Sequence, residues 1–555
     1  MKLNRIIPVL FAGILLVACT DMNTIQPAGG TLLKKQLQET NAAVPTRAAA
    51  SFSGLFNAIG NPNFYGYGTP DDFGVLMMLF CNDLESADAT ASDNNYNWFS
   101  VCGEYSSRNA AYRNPTIRYR APYSIISSVN DFLAGFDDEV SDQESIYMIA
   151  QAKALRAYAY LLMAPAFQFV QGANGFNADL PAVPICSPDV EDPTNNPRAT
   201  LGEIYDIIIK DLNEAIDGLK DYKRPSKKYL DQQVCYGLRA RANLDMGKYA
   251  EAAADAEEAA KGYTPASLAE ISTPSFQDIS EHNWIWGFDM SADLAKDFRY
   301  ATTSSWLRAF SGWAYAAGTA TYTCINKILF DKIPANDARK GWWLDENLYS
   351  PLLDGLTWDA GDNGKASGQA IADFEYDDKL AFVPYTNVKF GCTPIGTNDN
   401  AEDMPLMRVE EMILIQAEGY AKSGNETKAK QILADFLNGY RYPAQDYTPV
   451  CNNTADEIWF QRRVELWGEG FAILDTKRLQ KPMVRFLGNA AGYDESGNPS
   501  NVSPAFRFNM AADDGWLLMR FTNGELNTNF SIVDNTDGEL PTPDQNPTLR
   551  DGVTD

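Results

Sequence analysis

The fold is decided by the stretch Gln232-Gln-Val-Cys-Tyr-Gly-Leu-Arg-Ala-Arg-Ala-Asn-Leu-Asp-Met246, the Gly247-Lys-Tyr249 that follows it, and the Ala/Glu-rich run from Ala250 to Ala260. The first and third parts are rich in good helix formers and predict helices, and the glycine between them predicts a turn. Small side chains that let the two helices approach closely stand at Ala240, Ala253 and Ala256. This stretch therefore predicts a helical hairpin.

A second stretch, Glu411 to Asn438, shows the same pattern, with small residues Ala417, Gly419 and Ala421 before a turn at Ser423-Gly-Asn425. Each hairpin resembles a tetratricopeptide unit, whose repeat length is about 34 residues. Two more helices are predicted at 142–170 and 200–220, each after a capping box in which hydroxyl and carboxylate satisfy free amides. The two boxes are Ser141-Asp-Gln-Glu144 and Thr200-Leu-Gly-Glu203. We expect a mainly α protein with a tetratricopeptide-like helical scaffold, an α-solenoid.

Between these helices, from Tyr263 to about Asp403, the chain is rich in Gly, Asn and Asp and lacks long helical periodicity. Its tryptophans are Trp284, Trp286, Trp306, Trp313, Trp342, Trp343 and Trp358. We expect loops, short helices and a few short strands, because binding residues often lie on such excursions from a rigid frame. The region is predicted to be a loop-rich, aromatic ligand-binding insertion.

The N-terminus carries a basic start, Met1 to Arg5, and an apolar run from Ile6 to Ala18. As a helix this run would cover roughly 20 Å, short of the ~30 Å bilayer core, so it predicts a secretory signal. Leu16-Val-Ala-Cys19 fits the bacterial lipobox, which predicts lipidation of Cys19; an ordinary signal peptide is the alternative. We predict residues 1–18 as signal peptide, 19–50 as lipidated tether, 51–522 as the folded domain and 523–555 as a polar tail, partly disordered or packed as a final loop.

Composition excludes several classes of function. The net charge of −27 argues against a nucleic-acid partner, since phosphate binding depends on Lys and Arg. The chain has one histidine, His282, for which we expect a structural role, and no G-x-S-x-G, Walker A, G-x-G-x-x-G or EF-hand pattern. Most metal-hydrolase and Ser-His-Asp schemes need imidazole, so we predict no catalytic residues, no cofactor and no metal.

Seven cysteines besides Cys19 are widely spaced and include no C-x-x-C pair, which argues against a zinc or redox motif. They are Cys81, Cys102, Cys186, Cys235, Cys324, Cys392 and Cys451. One or two disulfides stay open for an exported protein, and buried free thiols are the alternative for most of them.

Four stretches then resemble the SusD/RagB family of nutrient-binding surface lipoproteins. They are Asp403-Met-Pro-Leu-Met-Arg-Val-Glu-Glu-Met-Ile-Leu-Ile-Gln-Ala-Glu418, Gln461-Arg-Arg-Val-Glu-Leu-Trp-Gly-Glu-Gly470, Asn336-Asp-Ala-Arg339 and Ala154-Leu-Arg-Ala-Tyr-Ala-Tyr-Leu161. The resemblance spans roughly residues 50 to 510. It departs from the common pattern at Ala166-Phe-Gln-Phe-Val-Gln-Gly172, where many members have a Tyr-Gly-Asp element.

The signature stretches also have a physical interpretation of their own. They embed charges among Met, Ile, Leu and Trp, and such charges are rarely buried unless they are paired. We therefore expect Arg–Glu pairs that hold the helices in register. The charges are Arg408, Glu411, Glu418, Arg462, Arg463, Glu465 and Glu469.

The resemblance implies a non-catalytic protein of the outer leaflet of the outer membrane. Such a protein covers a SusC-like TonB-dependent transporter and holds an oligosaccharide, or in some members a peptide, for import. Aromatic rings can cover the apolar faces of sugars, while Asn and Arg bond the hydroxyls. Three polar, aromatic segments are predicted to bind the ligand: Asn63–Gly68 with Tyr65 and Tyr67, Asp93–Trp98 with Asn95, Tyr96, Asn97 and Trp98, and Trp306–Tyr315 with Trp306, Arg308 and Trp313.

Two rival functions stay open at this point. A glycoside hydrolase would need two carboxylates facing each other about 5 to 9.5 Å apart, and the acids available in number are Asp71, Asp72, Asp377 and Asp378. A purely protein-binding tetratricopeptide scaffold would bury its aromatic residues and bind no carbohydrate.

Overall fold

The computed structural model describes residues 34–60, 64, 71–91, 99–137, 140–297, 306–308, 322–354, 383–391, 401–488 and 503–555. Over these ranges the protein is mainly helical, as the sequence predicts. No helix within them combines the length and the apolar character needed to cross a bilayer.

The helices, in chain order, are α1 Lys34–Ala43, α2 Pro45–Asn57, α3 Gly74–Leu84, α4 Ser100–Gly103, α5 Arg113–Leu133, α6 Gln143–Phe167, α7 Leu201–Gly218, α8 Gln232–Asp245, α9 Tyr249–Ala260, α10 Leu268–Ile271, α11 Ala292–Asp297, α12 Lys327–Lys332, α13 Val409–Lys422, α14 Glu426–Tyr440, α15 Thr454–Glu465, α16 Ala472–Arg478 and α17 Asn523–Thr528. The strands are β1 Ala89–Ala91, β2 Gln171–Gly172, β3 Gly175–Phe176, β4 Pro181–Pro184, β5 Arg198–Thr200, β6 Trp284–Phe288, β7 Thr323–Ile325 and β8 Met404–Arg408.

Both predicted helical hairpins are present, as α8–α9 and α13–α14. Gly419 on α13 lies so close to α9 that a Cβ at this position would meet the Tyr249 carbonyl oxygen at 2.5 Å and the Ala253 Cβ at 2.8 Å. A larger residue would force the helices apart, so glycine at 419 lets the second hairpin stack directly on the first. This stacking is the architecture of a tetratricopeptide-like scaffold.

The helix starts follow the predicted capping chemistry, with one shift. The capping box of α7 is complete, since Thr200 Oγ1 accepts from Glu203 N and the Glu203 carboxylate accepts from Thr200 N. At α6 the cap is Asp142, whose carboxylate accepts from Ser145 N at 2.9 Å, instead of the predicted Ser141. Aspartate is as effective an N-cap as serine, so Asp142 caps α6 in place of Ser141.

The predicted tether, residues 19–50, is helical at its C-terminal end. Helix α1 lies wholly within it, and α2 begins in it at Pro45. Gln38 Nε2 donates to the Phe136 carbonyl at 2.9 Å and Asn41 Nδ2 donates to that of Gly135 at 3.1 Å. The first helix docks through polar side chains on backbone carbonyls, so its sequence lacks the apolar periodicity that would reveal it. The folded body extends back at least to Lys34.

The polar segment from residue 523 to 555 packs on the body as a final loop. Asp551 forms an ion pair with Arg463 Nη1 at 3.0 Å, and Asp551, Val553 and Thr554 are all buried. Of the two alternatives for this segment, the packed one is what the structure describes.

The insertion holds short strands, short helices and irregular chain, as expected. β6 pairs antiparallel with β8, and β1 pairs antiparallel with β7. Its described tryptophans are all buried: Trp284, Trp286, Trp306, Trp342 and Trp343. The insertion is therefore continuous with the hydrophobic core and gives its strands a rigid setting.

Candidate ligand-binding face

Two of the three predicted ligand-binding segments are bordered by residues that pair or pack with one another. We call these residues, Ala91, Thr323, Phe99 and Trp306, the shared base. The short β1–β7 ladder pairs Ala91, just before the segment Asp93–Trp98, with Thr323, which lies shortly after the segment Trp306–Tyr315. Residues far apart in the sequence are thereby fixed side by side at the point where both segments meet the core.

Aromatic packing completes this base on the other side of both segments. Phe99, next to Trp98 in sequence, packs edge to face on Trp306 with ring centroids 4.9 Å apart. Phe99 packs in the same way on Phe80 of α3, at 4.7 Å. The β1–β7 ladder and the Phe99–Trp306 contact thus join the borders of both predicted segments at one base.

Trp306 and Arg308 are supports of this base and not surface contacts for a ligand. Each side chain is 1% exposed. The Arg308 guanidinium donates to the carbonyl oxygens of Gly391 at 2.9 Å, Phe276 at 2.6 Å and Asp403 at 2.8 Å. A buried guanidinium needs such partners, so the position of these two residues does not support the ligand contacts predicted for them.

The first predicted segment, Asn63–Gly68, is described only at Phe64. Phe64 N donates to the Asp72 carboxylate at 2.8 Å, and the Phe64 carbonyl accepts from Arg120 at 3.1 Å. Asp71 forms an ion pair with Arg113 at 2.8 Å. These two aspartates therefore have structural partners, which weakens their candidacy as a hydrolytic pair.

The remaining candidates lie outside the described residues, and their roles stay predictions. They are Tyr65, Tyr67, Asn95, Tyr96, Asn97, Trp98, Trp313, Asp377, Asp378, Cys392 and Cys19.

The charges of the signature stretches form a buried ionic network, as predicted, with Glu465 of α15 at its centre. The Glu465 carboxylate pairs with Arg441 at 2.8 Å and with Arg408 and Arg339 at 3.2 Å each. Burial alone would raise the pKa of Glu465, but these three arginines outweigh it and hold the pKa below its ordinary value. The network therefore ties α15 to β8 and to the ends of neighbouring elements.

A second carboxylate, Glu469, extends the network to a buried lysine. Arg408 Nη2 lies 2.7 Å from Glu469, and Lys389 Nζ lies 2.8 Å from it. Burial lowers the pKa of Lys389 to about 8, and the negative charge of Glu469 opposes that shift. Lys389 stands between Val388 and Phe390, and a single charge of this kind carries no repeating pattern that predicts its place in the network.

The other predicted charges are paired as well. Glu411 binds Arg241 at 2.7 Å, and Arg462 binds Asp475 at 2.6 Å. The remaining pairs are Glu418 with Arg478 at 2.5 Å and Arg463 with Asp88 at 2.7 Å. The signature charges therefore act as paired scaffolding, although Arg462 Nη1 is buried without a hydrogen-bond partner among the described residues.

Metal and thiol chemistry find little support in the described part of the chain. No group of three or more His, Cys, Asp and Glu residues there is arranged to hold a metal ion. His282 lies on the surface with its Nε2 3.1 Å from Glu270, beside Thr264. The described cysteines are all free thiols: Cys81, Cys102, Cys186, Cys235, Cys324 and Cys451.

The described fold and this base define a class of protein: a helical scaffold with an insertion whose described tryptophans are part of the hydrophobic core. Two family models match the chain, one described as starch-binding associating with outer membrane over residues 76–244 and one described as SusD family over residues 282–536. Together they cover more than half of the sequence. The chain belongs to the SusD/RagB family, whose members bind ligands without catalysis.

Solved structures share this fold at low sequence identity. A SusD-like carbohydrate binding protein from Bacteroides vulgatus superposes with a TM-score of 0.69 and 21% identity, over 89% of this chain and 98% of the other. A SusD superfamily protein from Bacteroides thetaiotaomicron gives 0.67 and 17%, over 88% and 99%. A laminarin binding SusD-like protein gives 0.58 and 17%, over 88% and 98%. A search of curated protein sequences finds no match.

Proposed function

We propose that this protein binds an oligosaccharide at the cell surface and delivers it to a SusC-like TonB-dependent transporter for import. It does so without catalysis, held on the outer membrane through acylated Cys19. The observation that carries the proposal is the shared base: the β1–β7 ladder and the Phe99–Trp306 contact bring together the residues at the borders of two aromatic segments that are predicted to bind the ligand.

The chemistry of these segments suits a sugar. Asp93-Asn-Asn-Tyr-Asn-Trp98 offers aromatic rings for the apolar C–H face of a pyranose and amides for its hydroxyls. Trp313 on the second segment offers another ring. We propose that rings on both segments contact successive sugar units, which suits a chain of sugars better than a single one.

Family membership and the relatives' names support the same ligand class. One matching family model is described as starch-binding, and solved relatives are named carbohydrate binding and laminarin binding. Each contact of this kind is weak alone. A lipid tether and a transporter partner would keep the released ligand at high effective concentration near the import channel.

A screen of the chain lacking its first 19 residues against a glycan array, followed by calorimetric titration of the hits, tests the proposal. We expect saturable binding of one oligosaccharide class and no release of reducing sugar. Release of reducing sugar would favour a glycoside hydrolase. Co-purification with a transporter but no glycan binding would favour a purely protein-binding scaffold.

A further inference from the structure

Two buried thiols lie in contact with each other beside the shared base. Cys81 on α3 and Cys102 on α4 place their Sγ atoms 3.3 Å apart, and they are 0% and 2% exposed. Met77, one turn earlier on α3, places its Sδ 3.4 Å from the same Cys81 sulfur. The other described cysteines have no sulfur neighbour of this kind, so this pair is distinct among them.

We propose that Cys81 and Cys102 form a disulfide in the exported protein. This inference rests on the proposed location outside the cytoplasm, where disulfides form and persist, but not on the identity of the ligand. In the bonded pair each sulfur loses its hydrogen. The two sulfur atoms are already in contact at 3.3 Å and must approach to about 2.0 Å to form the bond.

The bond forms by exchange with a disulfide-donor protein of the export compartment. The Cys81 thiolate attacks the donor disulfide and gives a mixed disulfide, which the Cys102 thiolate then attacks. The donor leaves as a dithiol and carries away two electrons and two protons. Because burial raises the pKa of the Cys81 thiol well above its ordinary value, this exchange belongs to the folding chain, before α3 and α4 close over the sulfurs.

The disulfide would stabilise the shared base of the predicted binding segments. It joins α3 to α4 and closes a covalent loop that contains β1, whose pairing with β7 builds the base. The same closed loop contains the predicted ligand-binding stretch Asp93–Trp98. Cross-linking the two ends of such a loop removes conformations from the unfolded chain and so favours the folded base.

Peptide mapping of the full lipoprotein from the outer-membrane fraction tests the proposal. The protein is denatured in acid, alkylated with iodoacetamide without reductant, and cleaved with trypsin and then after glutamate. Trypsin alone leaves both cysteines in one peptide, since no Lys or Arg lies between Arg47 and Arg108, whereas cleavage after Glu85 separates them. We expect a linked pair of peptides, lighter than the two free thiol peptides by two hydrogen atoms. Alkylation of both cysteines, or a link from either to another cysteine, would overturn the proposal.

Variants add a second readout. Cys102→Ala should leave Cys81 open to alkylation and lower the unfolding temperature more than the matched Cys324→Ala, which empties a buried thiol with no sulfur neighbour. This difference should vanish when both variants and their parent are made in a reducing cytoplasm. An equal effect of the two variants in the exported protein would contradict the bond. So would native mass spectrometry that found copper held by both cysteines and Met77, a sulfur set that suits Cu(I).

Discussion

Phe99 and Trp306 pack edge to face with ring centroids 4.9 Å apart, although one lies in the N-terminal part of the chain and the other in the insertion. Each flanks a predicted ligand-binding segment. This contact joins the borders of two segments that are distant in sequence. Trp306 thereby helps to build the base, whereas Trp98 and Trp313 are predicted to contact the ligand.

Trp306→Ala should therefore damage stability and not ligand recognition directly. Removing a buried tryptophan typically costs about 3–5 kcal/mol in the free energy of unfolding. Denaturant unfolding followed by circular dichroism would measure it. The conservative Trp306→Phe should recover part of the loss, because it keeps a ring against Phe99. An alanine variant as stable as the parent would contradict the burial of this side chain.

Glu465→Gln should destabilise the protein strongly, because it removes the charge that Arg441, Arg408 and Arg339 share. Breaking a buried ion pair from one side typically costs about 3–5 kcal/mol. A matched change is Glu258→Gln. Glu258 lies on α9, has an exposed side chain and pairs with Lys261, so this change should leave the unfolding midpoint unchanged. Similar midpoints for the two variants would contradict the scaffolding role of the signature.

Asp83→Asn should change how stability depends on pH. Burial raises the pKa of Asp83 to about 7, although Gly470 N and Ala472 N donate to its carboxylate and oppose the shift. In the unfolded chain the pKa of an aspartate is about 3.9. At pH values between about 3.9 and about 7, the Asp83 carboxyl is therefore protonated in the folded protein and ionised in the unfolded chain. The free energy of unfolding then falls as pH rises, by about 1.4 kcal/mol per pH unit from this group.

Unfolding curves of the parent and Asp83→Asn between pH about 4 and about 7 would test this, because the asparagine cannot titrate. The stability of the variant relative to the parent should increase with pH across that window. A constant difference would show that Asp83 has an ordinary pKa in the folded protein.

Cys19→Ala should abolish lipid attachment and release the protein from the membrane. Labelled palmitate should enter the parent and not the variant, and fractionation should move the variant from the outer membrane to the soluble exported fraction. Matched Cys235→Ala should still incorporate label, because it removes a buried cysteine and leaves Cys19 in place. Equal labelling of parent and Cys19→Ala would contradict the lipobox assignment.

The helical frame could be predicted because its signals are local. Periodic apolar positions, capping residues and turn glycines marked α6 to α9 and α13 to α14 to within a few residues. The partners in the ionic network could not be predicted in the same way. Asp88 and Asp551 meet Arg463 only after folding has brought three distant parts of the chain together.

The burial of Arg308 differs from the ligand contact predicted for it, for a reason visible in its sequence. This residue stands in Trp306-Leu-Arg-Ala-Phe310, a charge among large apolar side chains. The same pattern correctly identified Arg408 and Arg462 as buried and paired. Applied here, it would have assigned Arg308 to the core and left Trp98, which stands among asparagines, and Trp313 as the ligand candidates.

Titration of the preferred oligosaccharide into the parent, Trp98→Ala and Trp313→Ala is the most direct test of the account. Losing an aromatic platform should weaken binding by about 1.5–3 kcal/mol, or about ten- to hundredfold, with unchanged unfolding. Tyr349→Ala, which removes a ring that is 42% exposed and lies outside the three predicted segments, should bind like the parent. Parental affinity in both tryptophan variants would contradict a binding site on these two segments.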